Sequence, residues 1–443
     1  MNYMHVIQRS IDYIEENLKA EISAEELAAM AGFSLFHYYR IFQQFTGIPV
    51  MQFIIRRRLL NAIYEVQYGR KMLEAALDYG FETHSGFYKA FQREYDCSPT
   101  EYLRIAPARQ PHRIILRQEE KIMLTHSKLK EIAKSWKLEE PITIKDIYFG
   151  VNRIKSEDTC YVNEKYIIKF GNNLARLRQH FALSKAIYDA GLEAAVPIPT
   201  RNGMDYAADG ENYFFLSHVQ DGEILESSDC FTGNYKVKAR YLGECIAQLH
   251  KILLKYDENL PFNEANLFKD ATGWAMPVTK QQMELHKCPL PDRFYTDYSN
   301  IFGKLAENLP RQLIHRNICP GNFRVKEGKL TGFADFELSE RNIRLFDPCY
   351  CATGILSECM NGNDPSKLDK WPEILVNIIT GYDSVCKLTR EERQAVIYVV
   401  YSIQMICIAY FGGIERYSEL ADINCRMLSW IYEYTSKNAD WYK

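Results

Sequence analysis

The sequence predicts a multidomain protein in which an all-α tandem helix-turn-helix domain precedes an α+β domain with two lobes. Three observations lead to this prediction. One helical pattern occurs twice within residues 1–107. Closely spaced alternating segments between residues 142 and 219 indicate antiparallel strands, and the residues that follow are mainly helical in pattern. A sheet-rich segment ahead of a helical one predicts a small lobe followed by a large lobe.

The composition is that of a globular chain with two or three domains. The 443 residues are 47% hydrophobic and carry a net charge of −3, so a nucleic-acid partner would have to be recognised by a local patch. The 12 cysteines include no CxxC pair, which favours reduced thiols in a cytoplasmic protein. The first residues lack the apolar stretch of a signal peptide, which also indicates a cytoplasmic location.

One segment, residues 395–414, approaches the roughly 20 apolar residues that a membrane-spanning helix needs. It contains Ser402 and Gln404, and no basic cluster flanks it to orient it. We therefore predict a buried core helix and no membrane partner. Thr389 and Glu392 have the spacing of a capping box at its start.

The first helix-turn-helix unit is marked by its caps. Ser23 and Glu26 have capping-box spacing, Gly32 ends the short helix, and a second helix follows Ser34. This order of helix, tight turn and helix is typical of DNA-reading proteins.

A second copy of the unit follows. RIFQ at 40–43 matches KAFQ at 89–92, AGF at 31–33 matches YGF at 79–81 with one residue more before the next helix, and QF at 52–53 matches EY at 101–102. A long helical run from residue 50 to about 68 joins the copies. The alternative to a DNA-binding domain is a helical module for protein interaction, and the matching turns favour DNA.

Residues 1–107, closing with SPTEYLR, resemble the DNA-binding domain of AraC-type transcription regulators. The resemblance implies that the second helix of each unit enters a major groove of double-stranded DNA, where such side chains contact base edges and phosphates. It assigns this contact to Leu35, Phe36, His37, Arg40, Thr83, His84, Ser85, Lys89 and Arg93.

Charge in this region is nearly balanced, so a basic DNA-facing surface depends on where the later basic residues lie. These are Arg56, Arg57, Arg58, Arg70, Lys71 and Arg93. Residues 108–121 mix prolines, charges and a short apolar run, as in a linker. Residues 127–138 have a helical pattern and are assigned to the second domain, which runs over 122–443 with lobes at about 122–220 and 221–443.

The small lobe is predicted to contain strands in ITIKDIYFG (142–150), RIKSEDTCYVN (153–163) and KYIIKF (165–170), then a helix at about 174–190 and strands around 199–205 and 212–219. Lys169 ends one of these strands. In a kinase-like fold, a lysine at that place contacts the α and β phosphates of the nucleotide.

The most informative stretch is LIHRNICPGNFRVKEGKLTGFADFELSERNIRLFDP, residues 313–348. His315, Asn317 and Asn322 lie in a predicted loop, and Asp335 follows an apolar strand at 330–334. In phosphoryl transfer, such a loop supplies a base and an amide oxygen for Mg²⁺, and the aspartate after the strand supplies a second metal ligand. Asn317 occupies the base position, where an amide cannot accept a proton at neutral pH.

From residue 144 onward the chain resembles the aminoglycoside phosphotransferase and choline kinase family, through YIIKF, RLRQHFALSKAIYDAGL, LGECIAQLH, HRNICPGN, FADFE and FDP. The resemblance implies ATP or GTP with Mg²⁺ as cofactors. It implies phosphate binding by Lys169, an adenine-contacting hinge at 215–219 that includes Ser217, His218 and Val219, and Mg²⁺ binding by Asn322 and Asp335. It also gives Asp347 a structural role behind the loop.

Two positions depart from that family. Asn317 stands where the family has its catalytic aspartate, and His180 stands where the family has the glutamate that pairs with the strand lysine. Loss of a general base costs about 10²- to 10⁴-fold in rate. These departures favour a transcription regulator whose catalytically impaired phosphotransferase-like domain senses a small molecule or nucleotide. The alternatives are an active small-molecule kinase that also regulates transcription and a domain that serves only to form a homodimer.

Overall fold

The computed structural model describes residues 3–46, 48–95, 97–105, 126–149, 154–210, 212–256, 262–362, 365–413 and 417–438, together with positions 111 and 124. The chain forms two compact units. The first comprises residues 1–174 and 197–219, and the second comprises residues 175–196 and 220–443. Apart from position 111, the predicted linker at 108–121 lies outside the described residues.

The described residues of the first unit open with seven helices, which include the two helix pairs that the repeat predicts. Ser23 accepts a hydrogen bond from the Glu26 N–H at 3.1 Å, and Gly32 ends the second helix with a φ of 71° that a residue with a side chain rarely adopts. The helices are α1 (Tyr3–Glu16), α2 (Ala24–Ala31), α3 (Leu35–Thr46), α4 (Val50–Gln67), α5 (Met72–Asp78), α6 (His84–Tyr95) and α7 (Pro99–Ile105).

The tandem arrangement is confirmed by the matching of α2 and α3 with α5 and α6. Gly80 has a φ of 79° in the turn after α5, as Gly32 does after α2. Apolar residues from all of α1 to α6 form a single core, which includes the fully buried Phe42 and Phe91 at equivalent places of the two copies. The buried Arg57 of α4 forms an ion pair with Glu15 of α1 across this core.

The small lobe follows as helix α8 and a five-stranded antiparallel sheet. Helix α8 (His126–Ala133) ends five residues before the predicted limit of 138, and Trp136 beyond it is buried and donates to the Ile198 carbonyl at 2.7 Å. The strands are β1 (Ile144–Phe149), β2 (Ile154–Val162), β3 (Tyr166–Gly171), β4 (Ala207–Asp209) and β5 (Asn212–His218), in the order β1-β2-β3-β5-β4.

The predicted strand at 199–205 is wrong. The chain turns there, with Gly203 at a φ of 77° and the Thr200 hydroxyl hydrogen-bonded to the Met204 carbonyl at 3.0 Å, and the strand begins only at Ala207. The pair Asn202-Gly203 is a turn signal that outweighs the alternating pattern around it.

The second unit is mainly helical, with two small sheets. Its helices are α9 (Leu174–Asp189), α10 (Tyr235–Leu254), α11 (Leu267–Asp270), α12 (Met276–Leu285), α13 (Asp292–Ala306), α14 (Phe346–Gly362), α15 (Pro365–Val385), α16 (Arg390–Gly412) and α17 (Ser418–Lys437). Its strands are β6 (Glu223–Ile224), β7 (Arg311–Ile314), β8 (Phe323–Lys326), β9 (Lys329–Phe333) and β10 (Glu340–Ile343). Strands β6, β8 and β9 form one antiparallel sheet, and β7 pairs with β10.

Helix α16 confirms both sequence predictions made for it. Thr389 and Glu392 form the capping box at its start, and its apolar residues belong to the core of the second unit. By length and composition it is also the one helix in the described part of the chain that could cross a membrane, but 61% of its most apolar window is buried inside the protein. The twelve cysteines, which all lie in described segments, are free thiols.

Candidate functional site

The predicted DNA-contacting residues lie on α3 and α6, here called the recognition helices, and at Thr83 directly before α6. Every one of those residues is exposed except His37, which is half-buried and whose ring meets that of Phe33 edge-on. Phe36 is 81% exposed, which is unusual for a large aromatic side chain in a small helical domain. Exposure of both recognition helices is what groove binding requires.

Thr83 has a local role that the sequence reading did not assign. Its hydroxyl accepts a hydrogen bond from the Gly86 N–H at 3.0 Å and so caps the start of α6, as Ser34 does for α3. Thr83 therefore orients the recognition helix.

The basic surface is smaller than the sequence suggested. Arg57 is buried in its ion pair with Glu15, Arg58 donates to the carbonyls of Leu18 and Ala20, and Arg70 pairs with Glu65. These side chains hold helices together inside the domain, because α4 lies between the two copies and its polar residues face neighbouring helices. Exposed cations on the recognition helices are Arg40, Lys89 and Arg93.

In the second unit, Asp347 holds the predicted catalytic loop from behind. Its carboxylate is fully buried and accepts hydrogen bonds from the backbone N–H groups of His315 at 2.8 Å and Arg316 at 2.9 Å, and from the His250 Nε2 at 2.8 Å. Burial favours the neutral acid, but the hydrogen bonds and the nearby histidines hold the pKa of Asp347 below its ordinary value. The His250 Nδ1 in turn lies 2.7 Å from the Tyr382 hydroxyl.

His315 is a structural residue of the same loop. Its Nε2 donates to the Ala334 carbonyl at 2.9 Å, and its Nδ1 accepts from the Asn317 N–H at 3.2 Å. Burial lowers the pKa of His315, so the ring stays neutral at pH 7. The ring ties the loop to the residue before Asp335.

Asn317 occupies the base position with both ends of its amide engaged. Its Nδ2 donates to Asp335 Oδ2 at 3.0 Å, and its Oδ1 accepts from the Tyr350 hydroxyl at 3.1 Å. Burial raises the pKa of Tyr350, so its hydroxyl remains a donor. These two partners fix the orientation of the amide.

The backbone brings the predicted metal ligands Asn322 and Asp335 near each other. The backbone carbonyl of Asn322 accepts from the N–H of Ala334, the residue before Asp335, at 2.9 Å, and the Asn322 Nδ2 donates to the Asn317 carbonyl at 2.6 Å. Asp335 has a φ of 63°, a conformation that costs energy in a residue with a side chain and that often marks a functional site. An amide oxygen and a carboxylate are hard oxygen donors, which suit Mg²⁺.

In the first unit, Lys169 is buried and its ammonium lies 3.2 Å from Asp158 Oδ2 on the neighbouring strand β2. Strand pairing places Thr159 opposite Lys169 and so brings Asp158 close. The family resemblance places His180 where the family has the glutamate that pairs with the strand lysine. It does not reveal Asp158, because only the strand register shows which carboxylate lies near Lys169. His180 is buried on α9, with its ring edge-on to Phe181.

The predicted hinge residues lie at the end of β5. Ser217 is buried in the sheet, His218 is exposed and contacts the Tyr166 ring, and the Val219 N–H donates to the Lys165 carbonyl at 3.0 Å. That amide is therefore hydrogen-bonded within the small lobe.

Comparison with known proteins supports both halves of the chain. Residues 27–105 match the family described as a helix-turn-helix domain, and residues 153–366 match the phosphotransferase enzyme family. The uncharacterized HTH-type transcriptional regulator YbfP of Bacillus subtilis (strain 168) is 36% identical over 103 residues, which are 23% of this chain and 35% of that protein. The chain therefore spans about a third of that relative.

The HTH-type transcriptional activator AarP of Providencia stuartii is 31% identical over 98 residues, 22% of this chain and 73% of that protein. Among solved structures, a microcompartment-associated aminopropanol kinase shares 13% identity at a TM-score of 0.51, over 70% of this chain and 98% of that one, which supports the two-lobed kinase-like fold. The chain therefore belongs to the AraC-type family of helix-turn-helix DNA-binding regulators, and in it that domain is joined to a phosphotransferase-family domain.

Proposed function

We propose that this regulator uses its phosphotransferase-like domain to sense a small molecule, with or without a bound nucleotide, and that the domain is impaired in phosphoryl transfer. The observation behind the proposal is the engagement of Asn317. Its amide donates to Asp335 and accepts from Tyr350, and it offers no group that could take a proton from a substrate hydroxyl.

Binding, unlike transfer, is compatible with this arrangement. An amide can hydrogen-bond a ligand hydroxyl as donor or acceptor, and the surrounding loop is held rigid by the buried Asp347. A sensor must bind its ligand selectively, but it has no need to turn the ligand over. Rigid supports of this kind suit selective binding, because little ordering has to occur when the ligand arrives.

ATP or GTP with Mg²⁺ is the proposed nucleotide ligand. Asn322 and Asp335 would hold the metal, which would neutralise negative charge on the phosphates. Lys169 is the proposed phosphate contact, and its ion pair with Asp158 holds the ammonium in place within the buried sheet. Ser217, His218 and Val219 remain proposed hinge contacts.

Signal transfer to DNA is supported by contacts inside the first unit. Arg56 of α4 donates from Nη1 to the Leu124 carbonyl at 3.2 Å, just before α8, and α6 packs against α8. The DNA-binding domain thus contacts the small lobe directly. Ligand binding that shifts α8 would therefore shift α4 and α6 as well, and α6 is one of the two recognition helices.

Reciprocal linkage tests this proposal. DNA selected from a random library by the protein would be titrated by fluorescence anisotropy with and without ATP and Mg²⁺ and each candidate ligand. Allosteric coupling of about 1 to 3 kcal/mol would change DNA affinity by about 5- to 150-fold. A constant DNA affinity across ligands that demonstrably bind would contradict sensing.

Ligand binding itself is measured by thermal shift, because a ligand at about 100 times its dissociation constant stabilises the native state by about 2.7 kcal/mol. No shift with ATP and Mg²⁺ or with any small molecule of the panel would favour a domain that serves only for dimerisation. Lys169→Met is the matched variant for nucleotide, since it keeps the length of the side chain and removes the charge.

The alternative is an active small-molecule kinase that also regulates transcription in the cytoplasm. The presence of both proposed metal ligands, Asn322 and Asp335, supports it, because phosphoryl transfer requires Mg²⁺. It predicts ADP release with a hydroxylated, amine-bearing substrate. Since the structural neighbour is named as an aminopropanol kinase, amino alcohols join choline and aminoglycosides in the assay.

A further inference from the structure

A second cluster of reactive side chains lies in the small lobe, apart from the phosphotransferase loop. His126 Nε2 is 2.7 Å from Asp146 Oδ1, and Cys160 Sγ is 3.9 Å from the same oxygen. One ligand atom from each residue lies within 4.8 Å of the others, the only group of this kind among the residues that the structure describes. His126 and Cys160 are buried, and the Asp146 side chain is only 7% exposed.

Regular structure holds the three residues in place. Asp146 on β1 and Cys160 on β2 are direct partners across the antiparallel strand pair, and His126 is the first residue of α8, which packs on the sheet. Residues fixed by strand pairing and by a helix start lose little freedom when they bind a metal. A set of ligands on rigid elements is the arrangement that a selective metal site needs.

The donor set is a nitrogen, an oxygen and a sulfur, which together are typical ligands of zinc. In a tetrahedral site with metal–ligand distances of about 2.0 to 2.3 Å, ligand atoms lie about 3.3 to 3.8 Å apart. The contact between Cys160 and Asp146, at 3.9 Å, is slightly longer than this range and would close by a few tenths of an ångström. The contact between His126 and Asp146, at 2.7 Å, would open by about half an ångström.

We propose that His126, Asp146 and Cys160 form a binding site for Zn²⁺ or a similar borderline transition-metal ion, with water as the fourth ligand. On binding, the Cys160 thiol loses its proton to solvent and a sulfur–metal bond forms, while His126 binds as neutral imidazole and Asp146 as carboxylate. No electron is transferred. This site is independent of the phosphotransferase loop and of the sensing proposal.

The site lies where the small lobe meets the DNA-binding domain. His126 is two residues after Leu124, whose carbonyl accepts from Arg56 of α4, and α8 packs against α6. An ion here would fix the start of α8 to the sheet at this junction. Operator affinity should therefore differ between metal-loaded and metal-free protein.

Cobalt substitution tests the site. Tag-free full-length protein treated with a chelator would be titrated with Co²⁺ and followed by absorption. The expected result is one equivalent bound, with visible bands of four-coordinate cobalt and a near-ultraviolet thiolate-to-cobalt charge-transfer band. Zn²⁺ should then displace the cobalt and remove both signals.

Variants decide the ligand assignment. Cys160→Ala should abolish the charge-transfer band, and Asp146→Asn, which keeps the shape of the side chain, should weaken Co²⁺ binding by at least about tenfold. The matched control is Cys386→Ser, because Cys386 donates to the Ala247 carbonyl and serine can do the same. If Cys160→Ala fails to fold, Asp146→Asn alone decides. Absent cobalt binding, or a spectrum unchanged in the variants, would show a hydrogen-bonded cluster only and overturn the proposal.

Discussion

Replacing Asn317 by aspartate is the sharpest test of how the loop is built. In the wild type, the Asn317 Nδ2 donates to Asp335 Oδ2 at 3.0 Å. Asn317→Asp puts a second carboxylate oxygen at that place and removes the donor. The variant also restores the group that the phosphotransferase family uses as its base, so a cost in stability and a gain in chemistry are expected together.

The size of the cost follows from the distance. Two carboxylate charges about 3 Å apart repel each other by about 5 kcal/mol at an effective dielectric constant of about 20, which is an upper bound. Protonating one of them limits the loss, and at pH 7 this costs about 4 kcal/mol for a carboxyl group with an ordinary pKa of about 4. The expected loss is therefore about 2 to 4 kcal/mol in the free energy of unfolding.

The loss should depend on pH and on metal. In Asn317→Asp the pKa of the carboxyl pair is raised in the folded state, so the penalty is small near pH 4 and grows as the pH rises towards the raised pKa. Between pH 7 and pH 5 it should shrink by up to about 2.7 kcal/mol. Mg²⁺ should reduce it as well, because the cation neutralises both carboxylates.

Thermal unfolding from pH 5 to 7.5, with a chelator or with Mg²⁺, measures these effects. At pH 7 with chelator, the melting temperature should fall by about 4 to 16 °C, since each kcal/mol corresponds to about 2 to 4 °C in a unit of this size. Asn377→Asp is the control, because the Asn377 amide donates to a backbone carbonyl of its own helix. Equal melting temperatures for Asn317→Asp and wild type at pH 7 in chelator would refute the reasoning.

Three other predictions concern stability, and one concerns DNA affinity. Glu15→Gln should cost about 3 kcal/mol, because it leaves the buried Arg57 charge without its carboxylate. Thr83→Ala should cost about 1 kcal/mol by removing the cap of α6. Asp347→Asn should destabilise the protein at pH 7, and the difference from wild type should narrow as the pH falls below about 4, where the depressed pKa of Asp347 no longer favours folding. Lys89→Ala should leave the melting temperature unchanged and reduce the salt dependence of DNA binding by about one phosphate contact.

Two of these changes have a matched control, and three have a result that would contradict the prediction. Glu21→Gln changes the same chemical group at an exposed position of the DNA-binding domain, and a loss equal to that of Glu15→Gln would contradict the buried ion pair. The control for Thr83→Ala is Thr380→Ala, which removes an exposed hydroxyl that is hydrogen-bonded within α15. A constant gap between wild type and Asp347→Asn from pH 7 to pH 3 would contradict the charged state of Asp347. If the salt dependence of DNA affinity were the same in Lys89→Ala as in wild type, the Lys89 ammonium would not contact a DNA phosphate.

Local sequence patterns were enough to predict the helical repeat, because caps and turns leave signatures within a few residues. Ser23 with Glu26 and the glycines 32 and 80 mark the element ends that the structure has. The stretch from His315 to Asp347 was also recognisable, since its polar residues have fixed spacing along the chain.

Partners that come from distant segments could not be read from the sequence. Asp158 meets Lys169 through strand register, and Tyr350 meets Asn317 from the first turns of α14. Likewise, Arg57 looked like a candidate for a basic surface, but it is buried against Glu15 because of the way in which α1 crosses α4. Neither strand register nor helix packing is encoded in short-range spacing.

The rate of ADP release by the wild-type protein tests the central claim most directly. With saturating ATP and Mg²⁺ and the panel of amino alcohols, choline and aminoglycosides, the account predicts turnover below about 0.1 s⁻¹, against about 1 to 100 s⁻¹ for typical kinases. Asn317→Asp under the same conditions should be faster if the missing base limits the rate, by up to the 10²- to 10⁴-fold that general-base catalysis contributes. Turnover above about 0.1 s⁻¹ in the wild type would contradict the claim that this domain binds its ligand without transferring phosphate.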